Sequence, residues 1–151
     1  MSVFIVDPSV AIKWVVAEAG THEALALFGN RLAAPTLWRA ECANILWKKV
    51  KRGELQADEA LIAGRLLANA AVEPCLPEPE LAEILQFALA IDHPAYDCVY
   101  LAAAKSLNAP LVTADDRLLR VVEAARQNAG GAACALQGVS VLSLIKSPSV
   151  P

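Results

Sequence analysis

The chain has 151 residues, enough for one domain with a substantial core and too few for two. Its hydrophobic fraction of 56% exceeds the usual value of about 45–50%, so the core is unusually complete, another chain covers apolar surface, or both. The net charge of −3 argues against a generic polyanion binder, and no apolar run reaches the ~18 residues that span a bilayer; with no signal-peptide pattern at the start, the expected location is cytoplasmic, away from membranes.

Residues 3–6 (VFIV) read as a strand buried on both faces. Asp7 ends this run, and Pro8 opens a helix expected over 8–18. A second helix is expected over 22–31 and a very short strand at 33–36 (AAPT). A longer helix over 37–52 stops at Gly53, with Lys48, Lys49, Lys51 and Arg52 in its last turns, where cations suit the helix dipole. A helix over 57–71 precedes VEPCLPEPE, whose three prolines indicate a short extended piece and a turn. Helices over 79–91 and 94–107 are divided by DHP. A strand at 111–113 (LVT), a helix over 115–127, a Gly/Ala-rich loop (NAGGAAC) and a strand at 139–142 complete the pattern. Strands alternating with helices predict an α/β fold with a mostly parallel central sheet covered by helices on both sides. Ligands of such sheets bind at the carboxyl ends of the strands, where Asp7 and Asp115 fall.

Four acids interrupt or end apolar runs: Asp7, Glu41, Asp97 and Asp115. A carboxylate taken out of water without a partner costs several kcal/mol, on the order of ~2–7 for even a neutral polar group. Asp7 and Asp115 are each also explained as helix caps. Glu41 has Leu37, Trp38, Asn44 and Ile45 as helical neighbours, none of them basic. Asp97, in the first turn of a helix, suits the dipole but has no basic partner on its own helix beyond His93, which reads as a turn residue. Taken jointly, the four supply only hard oxygen ligands, which suit Mg²⁺ or Mn²⁺ and leave room for a phosphate oxygen and a water. Ser9 and Thr113 are placed to orient Asp7 and Asp115 through their hydroxyls, a role that competes with ordinary capping; Arg117 reads as a surface arginine. The stretch KKVKR (48–52) follows Glu41 by two helical turns and could guide an RNA backbone, although a solvated helix end explains it as well. Cys42, Cys75, Cys98 and Cys134 are far apart and lack zinc-site spacing, so they read as small buried thiols.

The segments VDPSVAIKW, APTLWRAECANILWK, HPAYDCVYLAAA and LVTADDRL, in this order, resemble the PIN-domain ribonucleases, and most of all the VapC toxins of type II toxin–antitoxin pairs. The resemblance spans about residues 3–120. It implies a three-layer PIN-like domain over 1–145 with a short tail at 146–151. It also implies a metal-dependent endoribonuclease that cleaves structured RNA with Mg²⁺ or Mn²⁺, dimerises, and is blocked by a VapB-like antitoxin. On this resemblance the metal ligands and catalytic residues are Asp7, Glu41, Asp97 and Asp115, supported by Ser9 and Thr113; Asp116 is an extra acid at a variable position. The competing expectation is an inactive PIN-like module that binds RNA or an antitoxin. Phosphotransfer receivers and haloacid-dehalogenase-type phosphatases require acid patterns after the first strand that Asp7-Pro8-Ser9 does not supply.

Overall fold

A computed structural model describes residues 2–128 and 130–145; the tail expected at 146–151 lies outside the described residues. Among the described residues five strands form one parallel sheet: β1 (Val3–Val6), β2 (Arg31–Ala34), β3 (Val72–Pro74), β4 (Leu111–Thr113) and β5 (Val141–Ser143). Their order is β3-β2-β1-β4-β5, and every pairing is parallel. The helices are α1 (Pro8–Ala11), α2 (Thr21–Ala26), α3 (Leu37–Lys51), α4 (Ala57–Ala68), α5 (Leu81–Ile91), α6 (Ala95–Ser106), α7 (Asp116–Gln127) and α8 (Gly131–Ala135). They flank the sheet as two layers, giving the three-layer α/β fold that was expected.

The apolar run VFIV becomes the central strand because both neighbours pair with it. Ile5 and Val6 are fully buried, opposite Leu111 and Val112 of β4. From β1 the chain turns to β2 on one side, and β4 later takes the other side. The boundary between β1 and β4 is therefore the point where the outgoing connections diverge, which opens a crevice at the carboxyl ends of the strands. Asp7 follows β1 at this crevice, and Ala114 and Asp115 follow β4.

Several boundaries differ from those expected. The helix after β1 is α-helical only to Ala11 and tightens into a 3₁₀ turn at Ile12–Trp14, before the β-branched pair Val15–Val16 and Gly20, whose φ is 87°. The second helix likewise ends in a 3₁₀ turn, Leu27–Gly29. β2 begins at Arg31, two residues earlier than expected, because Val3 and Phe4 of β1 recruit Arg31 and Leu32 as pairing partners. Pro35 follows the strand and offers no amide to extend it. The extended piece of VEPCLPEPE is β3, which places Pro74 at the sheet edge, where a missing donor costs little. The Gly/Ala-rich loop contains the five-residue α8, and the last strand is Val141–Ser143.

Two helices position the remaining acids. α3 ends at Lys51, one residue short of the expected end, with Arg52 as its cap and Gly53 left-handed at φ 73°. The Glu54 amide reaches the Lys49 carbonyl at 2.9 Å and the Gly53 amide reaches that of Val50 at 3.0 Å, a Schellman closure that fixes the basic helix end. α6 is the most deeply buried helix: Cys98, Tyr100, Leu101, Ala102, Ala103 and Ala104 are all within the core, and it packs on β1, β4 and α5.

Candidate active site

Asp7 is buried at the end of β1 and caps α1 by position only; its side chain makes no capping hydrogen bond. Instead the Ser9 hydroxyl donates to Oδ1 and the Thr113 hydroxyl to Oδ2. Ser9 in turn accepts from the Ala114 amide at 2.9 Å, and Thr113 accepts from the Asp115 amide at 3.0 Å. The two hydroxyls lie 3.3 Å apart. This network ties the end of β1 to the end of β4. Burial nevertheless raises the Asp7 pKa to about 6, because the hydrogen bonds from Ser9, Thr113 and Val10 only partly offset desolvation and the Asp115 charge adds to the rise.

Asp115 does cap α7: Oδ1 accepts from the Arg117 amide at 2.9 Å and the Leu118 amide at 3.3 Å. Capping and proximity to Asp7 are thus compatible, since the second carboxylate oxygen is not used by the cap.

The other two acids come from helices. Glu41 is half-buried on α3, and its Oε2 accepts the hydroxyl of Tyr100 on α6. Burial raises its pKa despite that hydrogen bond, and the Asp97 charge raises it further. Tyr100 is fully buried, and its pKa is driven far upward by burial, by Glu41 and by Asp7, so it remains a donor. Asp97 Oδ2 lies 2.6 Å from Nε2 of His93, whose ring is buried just ahead of α6. The spacing of four residues makes this pair.

The charge of Asp115 acts on Asp7 and that of Asp97 on Glu41, and Tyr100, which donates to Glu41, also feels the charge of Asp7. Apart from His93, no basic side chain pairs with any of them among the described residues. No three His, Cys, Asp or Glu side chains among the described residues close around one point. Asp116 stands apart: it is exposed and lines a different cleft, with Arg120 and Arg126. Cys42 and Cys98 follow Glu41 and Asp97 into the core, where burial first and the adjacent acids second push their thiols up to about 12 and about 11. They are inert packing groups, as their spacing implied. The sequence alone marks His93 only as a turn residue and gives Tyr100 no role. The 93/97 spacing was an available signal for one; the Tyr100–Glu41 contact, 59 residues apart, had none.

A parallel five-stranded sheet with paired acids at its central switch point defines a class, and the chain belongs to the PIN-domain family: the PIN domain model matches residues 4–124. Within that family it is similar to Ribonuclease VapC3 of Pyrobaculum aerophilum (strain ATCC 51768 / DSM 7523 / JCM 9630 / CIP 104966 / NBRC 100827 / IM2), with 33% identity over 120 residues, covering 76% of this chain and 90% of that protein. The crystal structure of PAE2754 from Pyrobaculum aerophilum superposes with a TM-score of 0.60 at 25% identity, covering 80% of this chain and 84% of that one.

Proposed function

We propose that the protein is a VapC-type endoribonuclease that hydrolyses phosphodiester bonds of structured RNA with the aid of Mg²⁺ or Mn²⁺. The observation that carries this reading is Asp7: a buried carboxylate at the end of the central strand, raised to about 6, on which the Asp115 charge acts and with no cationic side chain paired to either among the described residues. The donor set fits a hard divalent ion, since all four candidate groups are carboxylates. Asp7, Glu41, Asp97 and Asp115 would hold it. When bound, the ion supplies charge stabilisation and a water more readily deprotonated. The chain's own contribution is orientation. Ser9 and Thr113 fix both oxygens of Asp7, Tyr100 fixes Glu41, and His93 fixes Asp97. No side chain serves as a covalent nucleophile.

The working unit is proposed to be residues 1–145, self-associating and neutralised by a VapB-like antitoxin in the cytoplasm. Two apolar surfaces support partners of this kind: Trp47 and Leu61 on α3 and α4, 58% and 62% exposed, and Leu81 and Leu89 on α5, 81% and 74% exposed. No helix among the described residues is long and apolar enough to cross a membrane.

The deciding experiment incubates purified protein with end-labelled tRNA in Mn²⁺, in Mg²⁺ and in EDTA. Cleavage with either metal and none in EDTA is expected. Persistent cleavage in EDTA would remove the metal from the mechanism, and binding without cleavage in every condition would make the protein an RNA-binding module.

Tyr100→Phe tests the orienting layer. It keeps the packing and removes the donor to Glu41. Loss of such an outer partner typically weakens a metal site by about 10–100-fold. The expected result is Mn²⁺ affinity roughly tenfold lower by calorimetry, with little change in thermal stability because water can reach half-buried Glu41. Unchanged affinity would leave Tyr100 a packing residue only.

A further inference from the structure

Glu41, Ile45, Lys48, Lys49 and Arg52 follow one another along α3 and its cap at spacings that keep them on one face. One end of that face is the acidic site. The other borders a cleft of about 260 Å³ lined by Lys13, Lys48, Lys49 and Arg52 and by one carboxylate, Glu18. Ser9 and Ala114 also line it, and Ser9 is one of the two residues that donate to Asp7. The cleft and the acidic site therefore share a wall.

Its cations divide into two kinds. Lys13 and Lys49 are largely buried, with side chains 11% and 15% exposed, and both are held by Glu18, at 3.0 and 3.1 Å. They form a fixed frame. Lys48 is exposed and has no ion pair among the described residues, and Arg52 has only Glu54, at 4.0 Å, with its side chain 68% exposed. These two remain available to a ligand. A chain of net charge −3 with a cluster of acids at its centre repels RNA unless positive charge is concentrated beside that cluster. Here it is.

We propose that this cleft seats RNA phosphates flanking the cleaved bond, with Lys48 and Arg52 as the contacts and Lys13–Glu18–Lys49 as the frame, so that the strand runs along α3 from Glu41 toward Arg52. This rests on the ribonuclease reading above and adds the path of the substrate to it.

The test titrates a fluorescein-labelled single-stranded RNA of mixed sequence, by anisotropy, over a series of KCl concentrations. The protein carries Asp7→Asn to prevent cleavage, with or without Lys48→Ala and Arg52→Ala together. Each single-strand phosphate contact contributes about −0.7 to the slope of log affinity against log salt. Losing both cations should make the slope shallower by about 1.4 and weaken binding at low salt. Lys105→Ala with Arg65→Ala removes the same charge from α6 and α4 and should leave the slope unchanged. An unchanged slope in the Lys48/Arg52 variant, or an equal change in the control, overturns the proposal. So does capture of an oligoglutamate peptide that depends on Lys48 and Arg52 while the RNA slope does not, which would assign the cleft to an acidic protein segment. Wild-type cleavage of tRNA alongside an unchanged slope sinks only the path; absence of both RNA binding and cleavage sinks the ribonuclease reading with it.

Discussion

Asp7→Asn is expected to abolish RNA cleavage and, in the metal-free protein at pH 7, to raise stability. The shape of the side chain is kept and its charge removed. Burial lifts the Asp7 pKa from 3.8 to about 6, so the folded chain binds this proton more tightly than the unfolded chain does. Above pH ~6 the group is ionised in both states, and the fold bears the full cost of the buried charge. At roughly 1.4 kcal/mol per pKa unit, that cost is about 3 kcal/mol. As pH falls from ~6 toward ~4 the folded state gains the proton first and the cost disappears. Urea unfolding should therefore show Asp7→Asn more stable than the wild type at pH 7, with the gap closing toward pH 4. Added Mn²⁺ should stabilise the wild type and leave the variant nearly unmoved. Full metal-dependent cleavage by the variant would exclude Asp7 from the site, and a variant less stable at pH 7 would contradict the cost assigned to its burial.

Leu101→Ala should produce the largest loss of stability among single changes near the site. Leu101 is fully buried on α6, the helix that packs on β1 and β4 and carries Asp97 and Tyr100. Truncating a buried leucine costs about 2–5 kcal/mol, through lost burial and the cavity left behind. Domains of this kind have only about 5–15 kcal/mol in total. The urea midpoint should fall accordingly, and cleavage should become temperature-sensitive rather than absent, since no acid is altered. A loss below about 1 kcal/mol would mean that α6 collapses onto the gap, contrary to its tight packing.

The sheet was legible where apolar runs were short and strongly punctuated: VFIV before Asp-Pro and LVT after Pro110 are β1 and β4 to the residue. α3 was legible because its basic last turns and Gly53 mark its end. Boundaries set by pairing were not. β2 starts at Arg31 because β1 recruits it, and local composition cannot register a partner 28 residues away. The acids show the same division. The capping explanation of Asp115 is correct, while that of Asp7 fails because Ser9 and Thr113 claim both of its oxygens. Thr113 lies 106 residues from Asp7, so the failure is visible only after folding. Glu41 had no basic neighbour on its own helix, and its partner proved to be a buried tyrosine from another one.

The bonding of these carboxylates also sets the lone pairs they can offer an ion. Glu41, Asp97 and Asp115 each commit one oxygen to the protein, to Tyr100, His93 and the α7 amides. Among the described residues their second oxygens accept no hydrogen bond. Each therefore offers one oxygen free of any protein donor, and a bonded oxygen keeps a second lone pair. Both oxygens of Asp7 already accept a hydrogen bond, from Ser9 and Thr113, so Asp7 would meet an ion only through those remaining lone pairs. A tyrosine, a histidine, two hydroxyls and a helix cap, none of them a ligand, would thus decide which lone pair of each carboxylate faces the ion.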